Sequence, residues 1–145
     1  MTARGVRVAV GDGFERSVVL DADGVAAFAA ASGDPNPLHH DADAAARSRF
    51  GGLISSGPQT SSLMMGLCAA WFTARGESVG LEFSFRFRRA VPVGDTLHIR
   101  WTVTAITPKP ALGGDIVTLS GRALRSDGEV ALEATGSALL WHAPA

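Results

Sequence analysis

Asp34, Asn36, His39, His40 and Asp41 crowd into one run, Ser32-Gly-Asp-Pro-Asn-Pro-Leu-His-His-Asp41. A carboxylate beside a neutral imidazole can hold a water molecule and move its proton, which is general acid–base chemistry. Asp34 and His39 are the pair best placed for it. Pro35 and Pro37 fix φ, remove two backbone donors and push Asp34 and Asn36 out of helical backbone. Asp34 and His39 therefore stand five residues apart on a stiff loop, and they converge if that loop folds back. The same residue types also make an Asx-rich turn ahead of a helix, with His39 and Asp41 merely capping it. On composition alone the two readings weigh about equally.

A carbonyl under attack also needs fixed hydrogen-bond donors. The stretch Gly51-Gly-Leu-Ile-Ser-Ser-Gly-Pro58 ends in a helix start: Ser56 or Gly57 suits the N-cap and Pro58 the first helical position. Pro58 has no N–H, so Gly57 is the single backbone donor expected at the positive end of that helix. Taken without the upstream loop, Ser56-Gly57-Pro58 is more simply a good helix start. Arg86, Arg88 and Arg89 form the densest basic group, and arginine forks suit the phosphates of a coenzyme A or carrier-protein arm. A solvated strand face is the plainer account of them. His98 and His142 are expected in solvent, and Gly113-Gly114 makes a turn. No His/Cys cluster has metal-ligand spacing.

These residues must be carried by a small fold. The chain has 145 residues, 46% of them apolar, which fits one domain over 1–145 with a real core. A net charge of −1 gives no reason to expect nucleic acid or an anionic membrane. The one cysteine, Cys68, excludes an internal disulfide and fits a reducing cytoplasm. The start, Met1 to Arg7, lacks the apolar core of a secretory signal. No apolar run approaches the roughly 20 residues that span a bilayer.

Short apolar alternation marks Val6 to Gly13, and Ser17 to Leu20 suits an edge strand. Asp23 is placed to cap a helix through Val25, Ala26, Phe28 and Ala29 that ends at Ser32-Gly33. Asp41 to Arg49 suits a second short helix. From Pro58 to about Arg75, Leu63, Met64, Leu67, Cys68, Trp71 and Phe72 recur at helical spacing, with Met65, Ala69 and Ala70 filling the rest. Such a helix is expected to be buried nearly all round. Period-two alternation then predicts strands: Leu81, Phe83, Phe85 and Phe87 on one face of the first, and Leu97, Ile99, Trp101 and Val103 on one face of Thr96 to Ile106. Pro108 to Gly114 is read as a connection, with strands over Ile116–Leu124 and Val130–Leu140 to follow. A buried helix plus consecutive antiparallel strands is an α+β fold, a curved sheet wrapped on a helix.

Phe28-Ala-Ala-Ala-Ser-Gly-Asp-Pro-Asn-Pro-Leu-His39 resembles the hydratase motif of the MaoC-like, (R)-specific enoyl-CoA hydratases, which are single hot-dog domains. The Gly-Asp-x-Asn-Pro-Leu-His order is complete, and weaker resemblance runs from about Val25 to Trp141. The resemblance implies that Asp34 and His39 activate water, that Asn36 helps fix the loop, and that Gly57 hydrogen-bonds the thioester oxygen. It implies a homodimer and no cofactor. The chain departs from the family in two places. Ser56-Gly57 stands where His-Gly is usual, and Met65 stands where a serine is frequent, with Ser61 or Ser62 as substitutes if the register slips. The expected substrate-binding set is Asn36, Ser56, Met65, Arg86 and Arg88, with Met65 narrowing the pocket for short acyl groups.

The expected activity is reversible addition of water to a trans-2-enoyl thioester, the (R) configuration following from the resemblance alone. Two alternatives stand beside it. A hot-dog thioesterase often carries a carboxylate on its central helix, and there is no Asp or Glu between Gly57 and Arg75. A catalytically silent acyl-thioester-binding subunit conflicts with the complete Asp34/His39 pair but is kept open by Ser56 and Met65.

Overall fold

The computed structural model describes residues 7–144. Val6, at the head of the first alternating segment, and most of the stretch read for a signal lie outside the described residues. Five antiparallel strands make one sheet: β1 (Gly13–Val19), β2 (Ser78–Phe87), β3 (Thr96–Lys109), β4 (Gly114–Leu124) and β5 (Val130–Trp141). Their spatial order is β1-β3-β4-β5-β2. The strand that comes second in sequence thus crosses to the far edge and pairs with the last. β3 runs through Pro108, where a connection was expected, and pairs it with Asp115. β1 reaches only to Thr102, so Pro108 has an open side on which its missing donor matters little.

The described residues also form three α-helices, α1 (Ala22–Ala31), α2 (Ala42–Ala46) and α3 (Gly57–Thr73), and two short 3-10 turns. Asp21, not Asp23, caps α1, because its Oδ1 accepts the Gly24 N–H at 2.6 Å. Asp41 caps α2 through the Ala44 N–H. α3 lies across the concave face of the sheet. Met64, Leu67, Cys68 and Phe72 meet Leu97, Ile99, Trp101 and Val103 of β3, Val117 and Leu119 of β4, and Leu132 and Ala138 of β5. Burying each large side chain stabilises the fold by about 1.5–3 kcal/mol. Trp101 is the pin of this layer, with Nε1–H donating to the Met64 carbonyl at 2.9 Å. Gly121 makes room for it: a Cβ there would come within 2.5 Å of the Trp101 ring.

Two expectations about burial are corrected. α3 is not covered all round, since Met65 is 40% exposed and Ala69 and Ala70 are exposed. β2 does not hide one clean apolar face. A bulge between Gly80 and Glu82 interrupts its alternation. Leu81 and Phe87 are left exposed, while Phe83 and Phe85 are half-buried. β2 is an edge strand: Phe83 and Phe85 pack against the core, Phe83 edge-on to Trp101 at 6.0 Å, while Leu81 at the bulge and Phe87 at the strand's end stay open to solvent.

Candidate active site

The proline-braced loop is folded back by its own polar groups. After Gly33, which takes a left-handed φ of +76°, the Asp34 N–H returns to the Ala29 carbonyl at 2.9 Å. Asp34 Oδ1 accepts the Asn36 N–H at 3.0 Å, and Asn36 Oδ1 accepts the Leu38 N–H at 3.1 Å. A short 3-10 turn, Pro37–His39, follows. Two interlocking Asx turns thus bring His39 round until its Nε2 lies 3.3 Å from Asp34 Oδ2.

The ring's other nitrogen decides its tautomer. His39 Nδ1 is 2.8 Å from the Ile54 carbonyl oxygen. A carbonyl only accepts, so Nδ1 carries the proton and a neutral ring turns the lone pair of Nε2 toward Asp34. His39 is 5% exposed, whereas the Asp34 carboxylate keeps access to solvent. Ile54 also donates its own N–H to the Leu38 carbonyl at 3.0 Å. On the other side, Ser55 N–H donates to Val91 and Val93 N–H to Leu53, both at 2.9 Å. The segment Leu53–Ser55 is therefore a strut between the loop and the turn after β2, and it delivers the chain to the start of α3 beside His39.

At that start the free donors can be accounted for. Ser56 Oγ accepts the Gln59 N–H at 3.2 Å, and the Ser56 carbonyl accepts the Thr60 N–H at 3.3 Å. Pro58 has none. Gly57, the first helical residue, has no preceding helical carbonyl to donate to. Its N–H is the donor left at the positive end of α3. Gly57 and His39 line one cavity of about 370 Å³, together with Asn36, Ile54, Ser55 and Thr60 and with Phe50, Phe87, Arg88 and Arg89. The Phe87 ring packs so close to Gly57 that a Cβ there would come within 3.1 Å of it. No acidic side chain lines this cavity. Arg88 rests on Glu133 at 3.1 Å and Arg89 on Glu129 at 3.2 Å, as half-exposed surface pairs.

The expected substrate-binding residues separate. Asn36 and Arg88 border the cavity. Ser56 does not, because it is 2% exposed and its hydroxyl caps α3. Met65 lies about 12 Å further along α3 from Gly57 at the rise of a helix. It lines a different cleft with Cys68, Phe72, Val79 and Phe83. Arg86 faces the other side of the sheet beside Ser84, Arg122 and Glu133. Arg88 lies past the end of β2 at Phe87 and borders the cavity while its guanidinium still reaches Glu133, and the N–H groups of Arg88 and Arg89 both converge on the Ala131 carbonyl. His40 is exposed with Nε2 3.3 Å from the Pro35 carbonyl, and His142 pairs with Asp115 at the surface. Among the described residues, no group of three His, Cys, Asp or Glu converges as metal ligands would.

Thr60 and Ile54 were not singled out from sequence. Thr60 carried a signal, standing one turn after Gly57 on the same helix face. Ile54 carried none, since only its main chain takes part.

A water donating to both Nε2 and Oδ2 would keep its oxygen lone pair directed away from the pair. The Gly57 N–H, on the cavity that His39 lines, suits an oxygen that gains negative charge. The arrangement can add water across a bond conjugated to a carbonyl.

A family model described as a MaoC-like domain matches residues 9–114. The chain is 39% identical over 117 residues to the (R)-specific enoyl-CoA hydratase of Aeromonas caviae, covering 80% of this chain and 81% of that protein. Among solved structures, the (R)-hydratase from A. caviae involved in PHA biosynthesis superposes with a TM-score of 0.83 at 33% identity, over 92% of this chain and 97% of that one. A MaoC-like dehydratase from Rhodospirillum rubrum gives 0.78 at 32% identity, over 95% and 96%. The chain belongs to the MaoC-like domain family, with its hot-dog fold.

Proposed function

We propose that the protein catalyses the reversible hydration of a trans-2-enoyl-CoA to an (R)-3-hydroxyacyl-CoA, as a hydro-lyase. The observation that carries this is the 3.3 Å approach of Asp34 Oδ2 to His39 Nε2, with His39 lining the cavity that Gly57 also lines and Asp34 behind it on a separate cleft with Gly33, Pro35 and His40. The thioester oxygen accepts the Gly57 N–H, which draws electrons from the double bond and makes C3 electrophilic. Water held by Asp34 and His39 attacks C3, and one of its protons passes to the pair. C2 takes a proton from the pair, so the net change is the addition of one water. No metal or redox cofactor enters these steps. The (R) face and the choice of coenzyme A rest on the likeness to the A. caviae hydratase.

A thioesterase would need a nucleophile or base aimed at the thioester carbon. α3 has no Asp or Glu, and Asp34 and His39 act on the water that adds to C3. A silent binding subunit has no use for a complete acid–base pair. The working unit in this reading is a homodimer in the cytoplasm. β2 has one unpaired edge, and Met65, Val79, Leu81 and Phe87 leave apolar surface at that edge and on α3. A second copy would cover both. No helix among the described residues is long and apolar enough to cross a membrane.

The test is to mix purified protein with crotonyl-CoA and follow the conjugated enoyl absorbance and free thiol together. Loss of absorbance with no thiol supports a hydratase. Stoichiometric thiol release, or no change in either signal, contradicts it. Sedimentation at micromolar concentration should show a dimer, which Leu81→Asp should weaken.

A further inference from the structure

We propose that Thr60 is a positioning residue for the reaction: it braces the two peptide groups that flank Gly57 and so aims the Gly57 N–H at the substrate oxygen. This rests on the hydratase reading above.

Thr60 grips both sides of that glycine. Its N–H donates to the Ser56 carbonyl at 3.3 Å. That carbonyl belongs to the same peptide group as the Gly57 N–H. Its hydroxyl donates to the Gly57 carbonyl at 2.9 Å. The first contact is the helix's own backbone bond, which polarises the Gly57 N–H and persists whatever side chain stands at 60; the hydroxyl contact is the one a substitution removes. The second holds the following peptide, whose nitrogen is that of Pro58 and donates nothing. Glycine is the residue with the widest backbone freedom, and here it carries the donor on which charge stabilisation depends. Thr60 is 3% exposed and borders the cavity that Gly57 and His39 share. Ser61 makes a similar contact to the Pro58 carbonyl at 3.1 Å, but Ser61 does not line that cavity. It serves as the internal control for an ordinary helix hydroxyl.

The proposal is specific to the transition state. A donor that drifts still lets the thioester bind, but it stabilises the developing oxyanion less well. Thr60→Val keeps the shape and removes the hydroxyl. With crotonyl-CoA, its kcat should fall about fivefold to tenfold while KM stays within about twofold, because the Gly57 carbonyl loses the hydroxyl that holds it and the Gly57 N–H is less well aimed. Thr60→Ser should recover kcat to within about twofold of wild type, and Ser61→Ala should leave it unchanged. Infrared difference spectra of bound butyryl-CoA, labelled with carbon-13 at the carbonyl, report the donor directly. The carbonyl stretch should lie at lower frequency on wild type and Thr60→Ser than on Thr60→Val. Thr60→Ala carries the same comparison should Thr60→Val not fold. The proposal is overturned if the valine or alanine variant keeps wild-type kcat, if KM alone rises, or if the carbonyl frequency is the same on all variants. Failure of wild type to hydrate crotonyl-CoA would instead overturn the hydratase reading.

Discussion

Replacing Asp34 by asparagine separates chemistry from folding in this site. The Asx turn survives, because an amide oxygen accepts the Asn36 N–H as the carboxylate Oδ1 does at 3.0 Å. The change falls on Oδ2, the atom 3.3 Å from His39 Nε2. An amide nitrogen there donates into the imidazole lone pair. Two acceptors that could share a water become a closed donor–acceptor pair, and the carboxylate that would accept or return a proton is gone. Removing a positioned acid–base group lowers rates by about 10²–10⁴. That corresponds to about 3–5 kcal/mol on the barrier. Stability should change by less than about 1 kcal/mol, since no buried group loses its partner. Initial rates on crotonyl-CoA measure the first quantity and thermal unfolding the second. If Asp34→Asn hydrates within about tenfold of wild type, Asp34 is not the proton carrier. A melting point many degrees lower would instead make its role structural.

His39→Ala should also lose about 10²–10⁴ in rate. It should lower stability by about 1–3 kcal/mol, because the Ile54 carbonyl at 2.8 Å is left without its donor. His40→Ala, with an exposed ring, should stay within about threefold of wild type in the same assay; the reverse pattern would move the base to His40. Gly121→Ala should lower stability by about 1–3 kcal/mol in chemical denaturation, because the new methyl would meet Trp101 at 2.5 Å; an unchanged midpoint would mean the core can yield there. Burial pushes the Cys68 thiol up to about 12 from its ordinary 9.0. The neutral form is the one favoured in the fold. Its contribution to stability is therefore present below pH 9 and lost between there and pH 12. Iodoacetamide at pH 8 should label Cys68 only after denaturation, as read by mass spectrometry.

The helices and strands were legible because their patterns have local causes. Asp34 and His39 could be paired from the two prolines and the five-residue spacing. What local pattern could not reveal was long-range. Nothing near Ser78 states that β2 pairs with β5 rather than β3. Met65 was placed in the acyl pocket by aligning one helix with others, yet the helical rise carries it to the cleft beside Cys68 and Phe83. Arg86 was grouped with Arg88 by adjacency, yet only Arg88, past the end of β2, borders the cavity, though both lie beside Glu133. The exposed side of α3 and the open edge of β2 mark where a single chain's apolar pattern exceeds what that chain can bury.

The most direct measurement is a crystal structure of Asp34→Asn soaked with crotonyl-CoA, slow enough in turnover to hold the substrate. The thioester oxygen should lie about 3 Å from the Gly57 nitrogen. C3 should face the junction of residue 34 and His39, with a water between. A thioester oxygen bound elsewhere, or C3 turned away from that junction, would contradict the assignment of Asp34, His39 and Gly57 to one reaction centre.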